Sequence, residues 1–228
     1  MKGSAIIVAA GSGKRLGGRE PKAFVTLGGR TLLSWSLAIL AQVSSIGEVV
    51  IAVPEGMEAA ARREASDLRI PVKITRGGVE RQDSVRIALA ITSAQSEFIV
   101  VHDAARPFAT AEMFEACLEA AQRSGGAIAA LPVADTLKRV DDQHLITATV
   151  PRASLWQAQT PQAFRRALLV SAHERAIKDG IVATDDADLV ERMGGRVEIV
   201  ESTGFNLKIT TASDLELAEA VVNSRASS

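Results

Sequence analysis

Residues 5–10 read Ala-Ile-Ile-Val-Ala-Ala and show no alternation of polar and apolar side chains. A strand that is apolar on both faces has to be covered on both, which excludes a sheet with one wet side. Gly11 ends the run, so residues 4–9 read as a central strand that delivers a glycine turn. Downstream, short β-branched runs alternate with stretches at helical spacing. Residues 31–43 put Leu32, Leu33, Leu37, Leu40 and Val43 on one helical stripe; 48–53 is a strand closed by Pro54, and 57–65 an alanine-rich helix. Further strands are expected at 72–75, 98–101, 127–131 and 197–200, and helices at 83–90, 110–123, 164–178, 185–193 and from Ser213 onward. Asp83 or Ser84 is the expected N-cap of the 83–90 helix, and Ser213-x-x-Glu216 has the form of a capping box. This is the rhythm of an α/β fold with an open, doubly wound, mostly parallel Rossmann-like sheet.

Residues 133–157 break the rhythm. β-Branched residues flank the polar Asp141-Asp142-Gln143 turn, which predicts a β-hairpin arm inserted into the domain. No repeat, low-complexity tract or long linker divides the 228 residues, so 1–228 is expected to be one domain carrying that arm. With 47% hydrophobic and 23% charged residues the chain has the material for a core, and disorder is excluded. A net charge of −1 excludes general polyanion binding, so no nucleic-acid partner is expected. No apolar stretch approaches the roughly 18 residues of a membrane span, and no membrane association is expected. The one cysteine, Cys117, lies among Phe114, Leu118 and Ala121 and is expected to be a buried, inert thiol. A chain without disulfides suits the cytoplasm.

The first chemical signal is Ala9-Ala-Gly-Ser-Gly-Lys-Arg-Leu-Gly17, placed directly after the first strand. Glycines there let backbone N–H groups approach phosphate, and in an open α/β sheet this is where ligands bind. The alternative is a simple flexible turn. The loop lacks the third glycine of a dinucleotide fingerprint, since Leu16 stands in its place, and it lacks the spacing of a Walker A loop. It carries Lys14 and Arg15, with Pro21-Lys22 close behind. Three cations beside a glycine loop suit a triphosphate better than a dinucleotide, although a solvated surface charge remains the competing reading for each. A second glycine turn, Gly77-Gly-Val-Glu-Arg-Gln-Asp-Ser84, enters a helix, and Val101-His-Asp103 ends a buried strand with an acid at the ligand-binding edge. A carboxylate there suits Mg²⁺, which bridges phosphate oxygens; an N-cap, or a partner for Arg106, is the plainer alternative.

Taken in order, these segments resemble the 2-C-methyl-D-erythritol 4-phosphate cytidylyltransferase family, within the sugar-nucleotidyltransferase-like superfamily. The resemblance rests on Ala9-Ala-Gly-x-Gly-x-Arg15, Pro21-Lys22, Gly77-Gly78-x-x-Arg81-x-x-Ser84-Val85 and Val101-His-Asp-Ala-Ala-Arg-Pro107. It continues through Asp135-Thr136, Arg152, Thr160-Pro-Gln162, Thr184-Asp185 and Asn206-x-Lys208-x-Thr210. Val8, Ala23-Phe24 and Phe205 depart from the usual pattern without touching its charged groups.

The resemblance implies a CTP-dependent cytidylyltransferase that acts on a phosphorylated polyol. It makes Arg15 and Lys22 the catalytic cations at the α-phosphate, Ala9, Ala10, Gly11, Gly13, Gly78, Ser84 and Ala104 nucleotide contacts, and Asp103 the ligand of Mg²⁺ or another divalent cation. Thr136, Arg152, Thr160 and Lys208 would form the acceptor site, and Arg106 fits a supporting or phosphate role. His102 is expected to pack at its strand end, His144 and His173 to be structural or solvated, and Thr184-Asp185-Asp186 to cap a helix. The arm is expected to clasp a second copy in a homodimer, so that Thr136 and Arg152 serve the neighbour's site. A ribitol 5-phosphate cytidylyltransferase is the nearest rival; an NAD-dependent oxidoreductase and a non-catalytic nucleotide sensor stand further off.

Overall fold

The computed structural model describes residues 3–11, 13, 16 and 20–226. β1 (Gly3–Val8) lies in the middle of a seven-stranded sheet, hydrogen-bonded on one side to β4 (Ile46–Val53) and on the other to β6 (Phe98–Asp103). β5 (Val72–Arg76) extends the sheet beyond β4. On the β6 side follow β10 (Trp156–Arg165), β7 (Gly126–Pro132) and β11 (Val197–Glu201), and β10 runs antiparallel to both of its neighbours. The chain therefore winds outward from β1 through β4 and β5, then returns to β6 on the other flank. That reversal opens a crevice at the carboxyl ends of β1 and β6.

The continuous apolar run of β1 is explained by burial on both faces. Ala5 and Ile7 belong to a core beneath α1 (Leu32–Leu40), α2 (Glu58–Glu64) and α4 (Ala111–Ser124). Ile6 points into the opposite core, with α3 (Arg81–Ala90), α5 (Arg166–Asp179) and α6 (Asp186–Arg192). Strand β4 divides in the same way, Val49 and Ile51 to one face and Val50 and Ala52 to the other. A doubly wound sheet with two apolar layers is what the period-free strands require. α7 (Ala212–Ala226) packs separately, over Leu27, Leu32 and Phe108.

Four local expectations need correction. Phe164 lies in β10 rather than opening the following helix, which starts at Arg166. The polar segment 156–162 hid this strand, and so did Pro161, which cannot donate to a ladder. The β10–β7 register shifts between Ala158 and Gln162, so the proline sits where pairing is already interrupted. α3 starts at Arg81, and its N-cap is Glu80 in a reciprocal capping box with Asp83. α7 starts at Ala212, where the Thr211 and Asp214 side chains bond each other's backbone N–H groups, in place of Ser213 and Glu216. A two-stranded ribbon, β2 (Thr26–Leu27) and β3 (Arg30–Thr31), was not anticipated; Gly28 and Gly29, at φ 55° and 77°, supply the left-handed turn it needs.

Within the 133–157 segment a hairpin forms, while Trp156 and Gln157 at its end belong to β10 and pair with β7. β8 (Leu137–Val140) pairs antiparallel with β9 (Ile146–Val150) in a ribbon apart from the main sheet. Asp141 Oδ1 closes its turn by accepting from the N–H groups of Gln143 and Leu145, and His144 sits there exposed at φ 62°. Leu145 and Ile146 are 60% and 66% exposed.

Candidate active site

Two glycine turns meet at the switch point. The first follows β1 and is anchored by Ala9 N–H donating to Ala52 O, with Lys22 N–H donating to Gly11 O. The second, residues 77–80, joins β5 to α3. A methyl group at Gly77 would stand 2.3 Å from Ala10 Cβ, and one at Gly78 would stand 2.2 Å from Asp83 Cβ. Only glycine lets the turns come this close. Ser84 fixes the second turn: its hydroxyl accepts from Gly78 N–H at 3.0 Å and donates to Glu80 O at 3.2 Å.

The turns enclose a cavity of about 600 Å³, within the usual size of a ligand site. Ala9, Ala10, Gly11, Gly13, Lys22, Gly78, Ser84, Asp103, Ala104 and Lys208 all line it. Arg15 lies outside the described residues. A second, smaller cavity of about 440 Å³ between α5 and α6 carries Arg175 and Arg192, each already paired with an aspartate on its own helix.

Asp103 ends β6 with both carboxylate oxygens engaged. Oδ1 accepts from Arg81 Nε at 3.0 Å, and Oδ2 pairs with Lys208 Nζ at 2.6 Å. Burial alone would raise this carboxyl, but Arg81, Lys208 and Arg106 together hold it well below the usual carboxylate range. It is therefore an anion at any ordinary pH. Among the described residues no cluster of three or more His, Cys, Asp or Glu side chains could enclose a metal. The ionised Asp103 carboxylate at the cavity wall, which Glu80 also lines, does fit Mg²⁺ carried in on a triphosphate, because Mg²⁺ keeps its waters and takes one or two carboxylates besides phosphate. Lys208, its side chain 40% exposed, is the partner that such an ion would displace.

Thr160 and Arg106 lie beneath the cavity rather than on its wall. Thr160 Oγ1 accepts from Asp103 N–H at 3.0 Å and contacts His102 Nδ1 at 3.1 Å, while His102 Nε2 contacts Arg106 O at 3.3 Å. A neutral imidazole with its proton on Nε2 satisfies all three contacts. Burial is the main force lowering the His102 pKa, to about 4, so the ring stays neutral as a strut under Asp103. Arg106 donates to Asn206 O at 2.8 Å, and Ile209 N–H donates to Ala105 O at 2.9 Å. Lys208 projects from an irregular segment that these bonds hold beside the end of β6. Thr136 and Arg152 lie exposed on the arm and do not line the cavity of their own chain.

Sequence reasoning missed Arg81 and Asp186. Arg81 spans two carboxylates, and Asp186 is buried with His173 behind it. The signal for Arg81 was its place inside the Gly77–Ser84 motif; nothing local separated Asp186 from the true N-cap, Asp185. His173 is buried, which removes the solvated alternative. Cys117 is buried as expected, its thiol pushed up to about 12 by burial.

The family model described as 2-C-methyl-D-erythritol 4-phosphate cytidylyltransferase matches residues 4–224. The chain belongs to this family. It is 46% identical to the protein of that name from Deinococcus radiodurans, over 96% of this chain and 88% of the relative. Identity to the one from Syntrophus aciditrophicus is 41%, over 95% of this chain and 94% of that one. The crystal structure of the Thermus thermophilus enzyme superposes with a TM-score of 0.82 at 40% identity, covering 98% of this chain and 100% of that one. Membership favours methylerythritol phosphate over ribitol phosphate as the acceptor, and cytidylyl transfer over the oxidoreductase reading.

Proposed function

We propose that this cytidylyltransferase binds CTP across the two glycine turns and transfers CMP to the phosphate of 2-C-methyl-D-erythritol 4-phosphate. A phosphate oxygen of the acceptor attacks the α-phosphorus in line and the Pα–O bond to pyrophosphate breaks, giving 4-diphosphocytidyl-2-C-methyl-D-erythritol. Such a transfer needs positioning and electrostatic stabilisation more than covalent help. Lys22 and Arg15 supply positive charge at the α-phosphate. Ser84 holds the 77–80 turn in shape, so that the main-chain groups of Gly78 and its neighbours read the cytosine edge. Asp103 would hold Mg²⁺, which neutralises charge on the triphosphate when bound. Lys208 is then free to meet the acceptor phosphate. A single observation carries this reading: both turns, Lys22, Asp103 and Lys208 line one cavity at the switch point.

The exposed apolar residues of the arm support a homodimer, because an isolated two-stranded ribbon is marginal in water. In that dimer Thr136 and Arg152 reach the partner's acceptor site. None of the described helices is long and apolar enough to cross a membrane. The reduced Cys117 suits the cytoplasm as the place of work. The test is pyrophosphate release from CTP with each acceptor offered separately. Methylerythritol phosphate should be used at least ~10²-fold better than ribitol 5-phosphate, and the reverse order would refute the reading.

A further inference from the structure

Behind the cavity wall a chain of buried charges runs back from Asp103. Arg81 Nε donates to Asp103 Oδ1 at 3.0 Å, and Arg81 Nη1 donates to Asp186 Oδ2 at 2.8 Å. The other oxygen of Asp186 meets His173 Nε2 at 3.2 Å, and its backbone N–H donates to Gln162 Oε1 at 3.2 Å. Asp186 and His173 are 1% and 2% exposed, and neither lines the cavity. Simple helix capping does not account for this carboxylate, because Asp185 already accepts from Asp188 N–H at 2.9 Å. A buried carboxylate is costly unless paired and hydrogen-bonded, so a role beyond capping is called for.

We propose that Asp186 is a positioning residue that acts on the active site through Arg81. Arginine presents its donors in a rigid planar fork, so fixing one nitrogen fixes the direction of the others. With Nη1 tied to Asp186, Nε is aimed at Asp103, and the Asp103 carboxylate is held in one orientation at the cavity edge. His173 fixes Asp186 in turn. Released from Asp186, the guanidinium could rotate about its stem, and Asp103 would follow it or lose its partner. Displacements of about 1 Å at a reacting centre can cost ~10²-fold in rate. Arg81 and Asp186 thus extend the site from the cavity wall to the buried side of α6.

This rests on the proposed transfer at the cavity, so the test includes a readout that needs no turnover. Asp186→Asn keeps the size and an acceptor oxygen but removes the charge. It should lower kcat about 10-fold while KM for CTP changes less than 3-fold. Arg81→Lys cannot span both carboxylates, and the double variant should be no slower than Arg81→Lys alone. The side-chain Nε–H resonance of Arg81 should shift in Asp186→Asn toward its position in Asp103→Asn. His173→Gln, which releases the far side of Asp186 and serves if Asp186→Asn does not fold, should shift it the same way by less. Losses that multiply in the double variant, or an Arg81 resonance unmoved in these variants, would overturn the proposal. If the wild-type enzyme transfers no CMP, the transfer reading fails, and the resonance alone decides whether Asp186 positions Arg81.

Discussion

Acidification from pH 7 to pH 5 is predicted to cost this protein about 2 kcal/mol of stability through His102 alone. The ring is fully buried, contacts Thr160 Oγ1 and Arg106 O, and packs 5.0 Å from the ring of Phe114. Its pKa in the fold is about 4, against an ordinary value of 6.5. The unfolded chain therefore binds a proton between those values while the folded chain does not, and stability must fall as pH drops from 6.5 toward 4. At pH 5 the unfolded state gains roughly 1.5 units of protonation free energy, at about 1.36 kcal/mol per unit. Above pH 6.5 the effect vanishes, and below pH 4 it saturates. Urea unfolding at pH 7 and pH 5, for wild type and His102→Gln, isolates this contribution from the carboxylates. The wild type should lose about 2 kcal/mol more than the variant across that interval. Equal losses in both proteins would mean that the imidazole is protonated or solvated in the fold, and the strut under Asp103 would have to be abandoned.

Four further outcomes are expected. Lys22→Ala should lower kcat by at least ~10²-fold with the melting temperature little changed; a rise in the KM for CTP alone would reduce Lys22 to a binding group. Gly77→Ala puts a methyl 2.3 Å from Ala10 Cβ, so it should force the two turns apart and raise the KM for CTP at least ~10-fold; an unchanged KM would detach the second turn from nucleotide binding. Leu145→Asp with Ile146→Asp should convert a dimer to a monomer by light scattering. In the intact arm, mixing Arg152→Ala chains with Arg15→Ala chains should restore about half of wild-type activity per heterodimer, because one site then carries both defects and the other none. No restoration in proven heterodimers would place Arg152 in its own subunit's site.

Much of the architecture was legible because burial on both faces leaves a strong mark on sequence. β1, β4 and β6 are nearly continuous apolar runs, and α4 shows both its stripe and its caps, with Thr110 accepting from Met113 N–H and Gly125 left-handed at φ 95°. β10 was not legible, because it is polar along much of its length and takes its place in the sheet from the strands on either side. At the site, glycine turns and terminal acids announce themselves through spacing, and Gly78, Ser84 and Asp103 do share one cavity. The supports beneath them are assembled from distant segments. The family resemblance implies an acceptor contact for Thr160, and its bonds to Asp103 and His102 reach across 57 and 58 residues. Arg81 meets Asp186 across 105 residues, a separation no local pattern encodes.

Direct transfer at one cavity is the centre of the account, and the stereochemistry at the α-phosphorus tests it most directly. A single diastereomer of CTP carrying sulfur on the α-phosphorus would be turned over with 2-C-methyl-D-erythritol 4-phosphate, and the configuration of the product read by phosphorus NMR. Attack by the acceptor phosphate, with Lys22 and Arg15 giving charge stabilisation only, predicts one pyrophosphate per product and inversion at phosphorus. Retention would require a covalent nucleotidyl intermediate on the chain, and no product at all would remove the reaction from this cavity; either result contradicts the account.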